Sequence, residues 1–174
     1  MATSKKPRSV SAAKRFAQIE RISILGVTER MGPLGLHMYA ESFLAAARAL
    51  PPGPVPFEPV RPYVVCHSIE LGLKAFLSLQ GAAMLELAEG PYGHNLEALL
   101  QKADKKGLRA TVRLTAAQRS AICHATTYYS GKVFEYPAIG EAVSGYPHLP
   151  SIEPLLEAAS TLVDSIRQQC HEAK

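Results

Sequence analysis

Hydrophobic residues recur at the spacing of amphipathic helices in five parts of this sequence, and no segment shows the sustained apolar–polar alternation of a half-buried strand. The pattern therefore predicts an all-α fold, an up-and-down bundle of four to five helices. The last helix is expected to begin at Ser151 and to carry Pro154 in its first turn, where proline is tolerated. The four helices before it are predicted at residues 37–50, 63–80, 96–103 and 116–129.

Residues that commonly begin and end helices stand at these predicted boundaries. Asn95 and Thr115 have side chains that accept hydrogen bonds from the free N–H groups of a first helical turn. Gly81 and Gly107 suit the left-handed conformation in which many helices end. The segments between later helices are expected to be an extended or turning stretch at 132–137 and a loop at 140–150.

The second predicted helix has a polar and an apolar face. A step of about 100° per residue places His67, Glu70 and Lys74 in one polar stripe. The apolar face spans an arc of about 120° and holds the expected core residues Val65, Cys66, Ile69, Leu73, Phe76 and Leu77. The first predicted helix is expected to bury Tyr39, Phe43, Leu44 and Leu50.

A proline-rich stretch separates the first two predicted helices. Residues 51–62 contain six prolines, which disfavour a helix and favour an extended chain. We interpret this stretch as a linker inside one domain, because the chain on either side of it is too short to form a core alone. The 174 residues are sufficient for one helical domain, expected at 21–174, preceded by a basic arm at 1–20.

Basic side chains are concentrated in two parts of the chain, whose formal net charge is +4. Residues 1–21 contain six Lys or Arg residues and one Glu. The second concentration, opposed only by Asp104, comprises Lys102, Lys105, Lys106, Arg109, Arg113 and Arg119. Clustered basic side chains bind nucleic-acid phosphates and release their counterions. They are also typical of a solvated arm and an exposed loop between helices, so both interpretations stay open.

The sequence carries no signal for export, membrane insertion or cofactor binding. No segment has the ~20 apolar residues of a membrane-spanning helix, and no apolar run follows the basic N-terminal residues. The three cysteines lack the spacing of a disulfide framework or zinc ribbon, and no phosphate-binding glycine loop is present. We therefore expect a cytoplasmic protein without a cofactor, a metal ion or membrane association.

Arg119 and His124 form a pair that is suited to RNA cleavage. An arginine binds phosphate, and a histidine moves a proton to or from the 2′-hydroxyl that acts as the internal nucleophile. Both residues fall in one predicted helix, although side chains five positions apart diverge by about 140°. In two pairs of similar spacing, a proline is expected to keep the arginine out of the helix of its histidine: Arg30–His37 and Arg61–His67.

The polar stripe has a catalytic and a structural interpretation. Glu70 could orient His67 for proton transfer, or the two could ligate a metal ion, although a single HxxE pattern is weak evidence for a metal site. Alternatively, the stripe could be a hydrogen-bond network with Glu70 and Lys74 at the favourable i,i+4 spacing. His94 is expected either to bond backbone groups where the next helix begins or to reach Glu70.

Two motifs together resemble those of bacterial HEPN-like domain proteins. The run from His67 to Leu77 has the form HxxExxxKxxL, and Gly93-His-Asn-Leu96 follows it one helix later, with Tyr136-Pro137 further along. The resemblance covers about residues 37–170. It implies an all-helical bundle that is often a homodimer. For members that carry an Arg-x4–6-His motif, the resemblance also implies activity as a metal-independent ribonuclease of toxin–antitoxin, phage-defence or CRISPR systems.

Two functions follow from these observations. In the first, a homodimeric defence protein binds or cleaves RNA and pairs with an antitoxin or other protein; Arg119 grips phosphate and His124 is the acid–base group. The strand is then guided by the basic residues Lys102, Lys105, Lys106, Arg109 and Arg113. In the second, a non-catalytic helical module dimerises or binds a partner or ligand through the stripe. Ser120 and Thr126 depart from the residues common in the ribonucleases and keep this alternative open.

Overall fold

The chain folds as a bundle of α-helices in the computed structural model, which describes residues 31–51, 58–146, 148–149 and 151–173. These ranges contain no strand, so the predicted all-α fold is confirmed. The predicted arm at 1–20, residues 21–30 and most of the proline-rich linker lie outside the described residues. The helices are α1 Pro33–Ala49, α2 Val60–Leu79, α3 Met84–Ala88, α4 Leu96–Lys105, α5 Leu108–Thr111, α6 Ala116–Ser130, α7 Ile139–Ser144 and α8 Ile152–Glu172, with a 3₁₀ turn at Gly90–Tyr92.

The central helix of the bundle is α2, which packs against α1, α4, α6 and α8. The predicted apolar arc is confirmed, because each of its six residues is at most 1% exposed. Burial extends further around the helix than predicted, however, and includes Glu70 and Lys74. Gly72 lets α8 approach closely, since a Cβ there would lie 2.8 Å from a Leu162 side-chain carbon.

The predicted cap residues are confirmed at the starts of two helices and at the end of one. Asn95 Oδ1 accepts the Ala98 N–H at 2.9 Å. Thr115 and Gln118 form a reciprocal capping box at the start of α6. Gly107 has a φ of 92°, the left-handed conformation that a glycine adopts at little cost.

Two helices begin earlier than predicted. α1 begins at Pro33 rather than at residue 37, and α2 begins at Val60, inside the stretch that was expected to be a linker. In both cases a proline, Pro33 or Pro62, lies in the first helical turn, where a backbone N–H has no intrahelical partner to lose. The proline count therefore overestimated the length of the linker.

The buried face of α1 differs from the one predicted. Leu44 is buried as expected, but Phe43 and Leu50 are partly exposed, and Tyr39 is 56% exposed, so its assignment to the core is wrong. Small residues set the face, because they allow α1 to pack closely on α2 and α8. The buried residues of α1 are Leu36, His37, Ala40, Leu44 and Ala47.

The short helix α7 occupies part of the region predicted to be a loop, so that prediction is wrong for residues 140–144. Ile139 is 85% and Val143 73% exposed. A helix that buries so little apolar surface leaves no periodic core pattern in the sequence. Among the described residues, no helix has the length and apolar character needed to span a membrane.

Candidate functional site

The predicted polar stripe meets two other segments of the chain in a hydrogen-bonded group that we call the Glu70 cluster: His67, Glu70, Lys74, His94 and Tyr129. Lys74 Nζ donates to Glu70 Oε1 at 2.5 Å, and the Tyr129 hydroxyl donates to Oε2 at 2.5 Å. His94 Nδ1 lies 3.0 Å from Oε2. His67 Nδ1 lies 2.7 Å from the Tyr129 hydroxyl and 3.6 Å from Oε2. His94 thus reaches Glu70, one of its two predicted roles.

The charges of the Glu70 cluster follow from burial and hydrogen bonding. Burial by itself raises the pKa of the Glu70 carboxyl, but the His67 and His94 imidazoles and the Lys74 ammonium outweigh burial and hold that pKa well below its usual range. Burial and the nearby Glu70 charge raise the pKa of Tyr129. Glu70 is therefore ionised and Tyr129 is a donor, which leaves the tyrosine oxygen to accept from His67 Nδ1.

The Glu70 cluster connects α2 with α6 and with the turn before α4. Lys74 Nζ also donates to the Gly93 carbonyl at 2.8 Å. The His67 ring is stacked parallel to Tyr63 and meets the edge of Phe43, with centroids 6.1 and 4.4 Å away. Among the described residues, the buried side-chain atoms without a hydrogen bond belong to His37 and Asp104, outside this cluster. A buried carboxylate that is bonded by Lys74, Tyr129 and His94 stabilises the fold, which favours the structural interpretation of the stripe.

No metal-binding group occurs in the part of the chain that the structure describes: no three His, Cys, Asp or Glu side chains there are placed to hold one ion. His67, Glu70 and His94 meet, but each histidine directs Nδ1 into the cluster. The interactions of these nitrogens are therefore satisfied by Glu70 and Tyr129.

His124 faces a groove of about 720 Å³ on a different side of α6 from Tyr129. This volume lies within the ~300–1,000 Å³ that is usual for ligand sites. The imidazole is exposed, and a second exposed imidazole, His148, lines the same groove. The other residues lining it include Glu97, Cys123, Thr127 and Val133.

His148 is held in this groove through its backbone. Its N–H donates to the Tyr128 hydroxyl at 3.1 Å. Tyr128 is 7% exposed and packs against Phe134 and Tyr146, with ring centroids 5.9 and 5.4 Å away. This aromatic packing fixes the chain that carries His148 without using the imidazole itself.

Arg119 lies on the same helix as His124 but does not line the groove. Cys123 and Thr127 line the groove, and Arg119 precedes Cys123 by one helical turn. Its Nη1 atom pairs with Asp104 Oδ2 at 2.8 Å, whereas His124 faces the groove. Burial and Glu97 raise the pKa of the Cys123 thiol more than Arg119 lowers it, so that thiol is protonated at neutral pH.

The other predicted basic residues divide into paired and solvent-exposed side chains. Lys102 pairs with Glu86 and lies 4.2 Å from the Tyr92 ring centroid. Arg109 shares Asp104 with Arg119, at 3.0 Å. The exposed side chains without an ion pair given above are Lys105, Lys106 and Arg113.

Arg61 lies in the same helix as His67, so the expectation that Pro62 would separate them is wrong. The Arg61 Nε donates to the Ala47 carbonyl at 3.0 Å, near the end of α1. Two side chains six positions apart diverge by about 120° on an ideal helix. Arg61 therefore joins helices α1 and α2, whereas His67 belongs to the Glu70 cluster.

Comparison with protein-family models, with curated proteins and with solved structures gives no match for this chain. The resemblance to HEPN-like proteins therefore stays a prediction. The groove has two exposed imidazoles, His124 and His148, whereas the Glu70 cluster has one, His94, which is bonded to Glu70.

The candidate residues predicted from the sequence include His124 but not Tyr129 or His148. Tyr129 falls at the end of a predicted helix, and only its burial shows that its hydroxyl needs a partner. His148 falls in a predicted loop, where no periodicity relates it to α6. Its neighbouring prolines in the sequence indicate a constrained turn, but they do not indicate where the turn packs.

Proposed function

We propose that this protein binds RNA in the groove of His124 and cleaves it without a metal ion. The observation that carries the proposal is the exposed His124 imidazole in a groove of about 720 Å³, on the same helix as Arg119. Imidazole changes its charge near neutral pH and is the side chain most often used for proton transfer. RNA supplies its own nucleophile, the 2′-hydroxyl, so the protein has only to orient the phosphate and move protons.

Arg119 is suited to orient that phosphate. A guanidinium has five N–H donors, and Nη1 is the atom that pairs with Asp104. The ion pair holds the side chain in place, while the remaining donors can bind a phosphate oxygen. Asp104 therefore has the role of a positioning residue, and Arg119 that of a phosphate ligand.

The exposed basic residues before α6 support binding of a strand that leads into the groove. Lys105, Lys106 and Arg109 lie around the turn at Gly107, and Arg113 precedes the capping box of α6. Binding through such residues weakens as the salt concentration rises. The free thiols of Cys66, Cys123 and Cys170 support placement in the reducing cytoplasm. There the protein would act in a toxin–antitoxin or phage-defence system.

The test is cleavage of a mixed, end-labelled RNA pool by the purified protein with EDTA present. Wild type should cleave, and His124→Ala should lose about 10²–10⁴-fold of the rate. His171→Ala is the matched control, because His171 is exposed on α8 and lines no part of this groove. Absence of cleavage by wild type, or an active His124→Ala protein, would overturn the proposal.

A second candidate, a non-catalytic module that forms a homodimer, is favoured by an apolar surface on α1. Met38 and Tyr39 are more than half exposed and line a concavity of about 320 Å³ with Phe43 and Ala46. A two-fold interface needs only one self-complementary patch, and none of the described residues that line this one is charged. Sedimentation of wild type beside Tyr39→Lys distinguishes the cases: this candidate requires a wild-type dimer and a monomeric variant.

A further inference from the structure

We propose that His148 is the second proton-transfer group of this groove and acts with His124 on the same phosphodiester. The inference rests on the proposed RNA cleavage and adds a catalytic residue to it. His148 comes from a segment separate from α6, yet both imidazoles are exposed and line one groove.

The geometry keeps the His148 imidazole free for chemistry. The backbone N–H of His148, not its ring, makes the bond to the Tyr128 hydroxyl. Tyr128 is in turn buried in aromatic packing and lies one helical turn after His124 in α6. Tyr128 therefore bonds the backbone of His148 to α6, the helix that carries His124. Two side chains that cooperate in one reaction must be held in a fixed position relative to each other.

Two histidines satisfy the proton balance of RNA cleavage. One neutral imidazole removes the proton from the 2′-hydroxyl as its oxygen attacks phosphorus. The bond from phosphorus to the 5′-oxygen then breaks, and the second, protonated imidazole gives that oxygen a proton. The products are a 2′,3′-cyclic phosphate and a 5′-hydroxyl, and the pair of histidines has exchanged which member carries the proton.

The other titratable groups of the groove suit these roles less well. The Cys123 thiol has a raised pKa, because burial and Glu97 oppose its ionisation. Glu97 from α4 is an exposed carboxylate that would repel the phosphate. Arg119, one turn before Cys123, stays charged and can only bind. The two exposed imidazoles that line the groove can supply both a base and an acid.

The experiment compares two substrates that differ in their leaving group. A dinucleotide needs a proton on its departing 5′-oxygen, whereas a ribonucleoside 3′-(4-nitrophenyl phosphate) releases an acidic phenol that leaves as the anion. Rates are measured with EDTA for wild type, His124→Ala, His148→Ala and the His171→Ala control. His148→Gln is a second variant, and thermal unfolding confirms that each protein is folded.

We expect both groove variants to lose about 10²–10⁴-fold of the rate on the dinucleotide. On the nitrophenyl ester, the variant that lacks the acid should recover most of the wild-type rate, while the variant that lacks the base should not. The bell-shaped pH profile of the wild type should lose one limb in each variant.

The outcomes separate the two proposals. If wild type cleaves and His124→Ala does not, but folded His148→Ala stays within about threefold of wild type, the role of His148 is overturned and the proposed function stands. If both groove variants lose activity on the dinucleotide and neither recovers on the nitrophenyl ester, His148 does not act in proton transfer. If wild type cleaves neither substrate, both proposals fail together.

Discussion

Tyr129 donates its hydroxyl proton to Glu70 at 2.5 Å, although 59 residues separate the two in the chain. The bond joins the central helix α2 to α6, the helix that carries Arg119 and His124. The Glu70 cluster therefore positions the helix of the candidate site without contributing a side chain to the groove. Stability and RNA chemistry can be tested separately, because different residues carry them.

Replacing Tyr129 by Phe should destabilise the fold by about 1–3 kcal/mol. The variant removes a donor from a buried carboxylate and the oxygen that pairs with His67 Nδ1. Urea unfolding followed by circular dichroism measures the change. Tyr136→Phe is the control, because Tyr136 is 76% exposed, and it should unfold with wild-type stability. Equal stability of both variants would show that the Tyr129–Glu70 bond contributes nothing.

The stability contributed by Glu70 should depend on pH in the acid range. The folded-state pKa of Glu70 is depressed, so the unfolded chain takes up the proton first. The contribution is fully present above the ordinary carboxyl pKa of about 4.3 and is lost as the pH falls below it towards the folded-state value. Glu70→Gln should lower stability at neutral pH by about 3–5 kcal/mol, because Lys74 is left buried and unpaired.

The measurement is the free energy of unfolding of wild type and Glu70→Gln between about pH 3 and about pH 7, a range that contains the ordinary carboxyl pKa. Below the ordinary carboxyl pKa of about 4.3, the difference between the two proteins should shrink as the pH falls. A difference that stays constant or grows below that pH would contradict a depressed pKa at Glu70.

Replacing Gly72 by Ala should destabilise the bundle by about 1–3 kcal/mol. The added methyl group would lie 2.8 Å from Leu162 Cδ2, and Leu162 is fully buried and has little room to move. Gly140→Ala is the control, since Gly140 also lies in a helix and nothing lies within 4 Å of a Cβ at that position. Thermal unfolding should place Gly140→Ala near wild type, and a Gly72→Ala protein of wild-type stability would show that α2 and α8 are not closely packed.

Replacing Arg119 by Lys should weaken RNA cleavage while leaving the fold intact. Lysine keeps the charge beside Asp104 but lacks the planar set of donors that can bind a phosphate and a carboxylate together. We expect a loss of about tenfold or more in the rate. Arg167→Lys is the matched control, because Arg167 also forms ion pairs but is half exposed on α8. Equal rates for both variants would remove Arg119 from the site.

The five longest helices and the caps at Asn95, Thr115 and Gly107 could be predicted from the sequence, because they depend on residues close together in the chain. Asn95, Thr115 and Gly107 act within one helical turn of their positions, and the apolar arc of α2 follows directly from helical spacing. The stripe His67–Glu70–Lys74 could be placed on one helix for the same reason.

The burial of Glu70, the role of Tyr129 and the groove of His124 and His148 could not be predicted in this way. Each depends on how segments far apart in the chain pack together, which spacing within one helix does not determine. Tyr39 shows the same limit, because small residues such as Ala40 and Ala47, rather than the aromatic ring, face the neighbouring helices.

The most direct test of the central claim is the chemistry of the RNA ends that wild type produces with EDTA present. Attack by the 2′-hydroxyl predicts 2′,3′-cyclic phosphate and 5′-hydroxyl ends, and a single 2′-deoxy substitution at the cleaved position should stop the reaction there. His124→Ala should yield neither product. Intact RNA, or cleavage that persists at the 2′-deoxy position, would contradict the account.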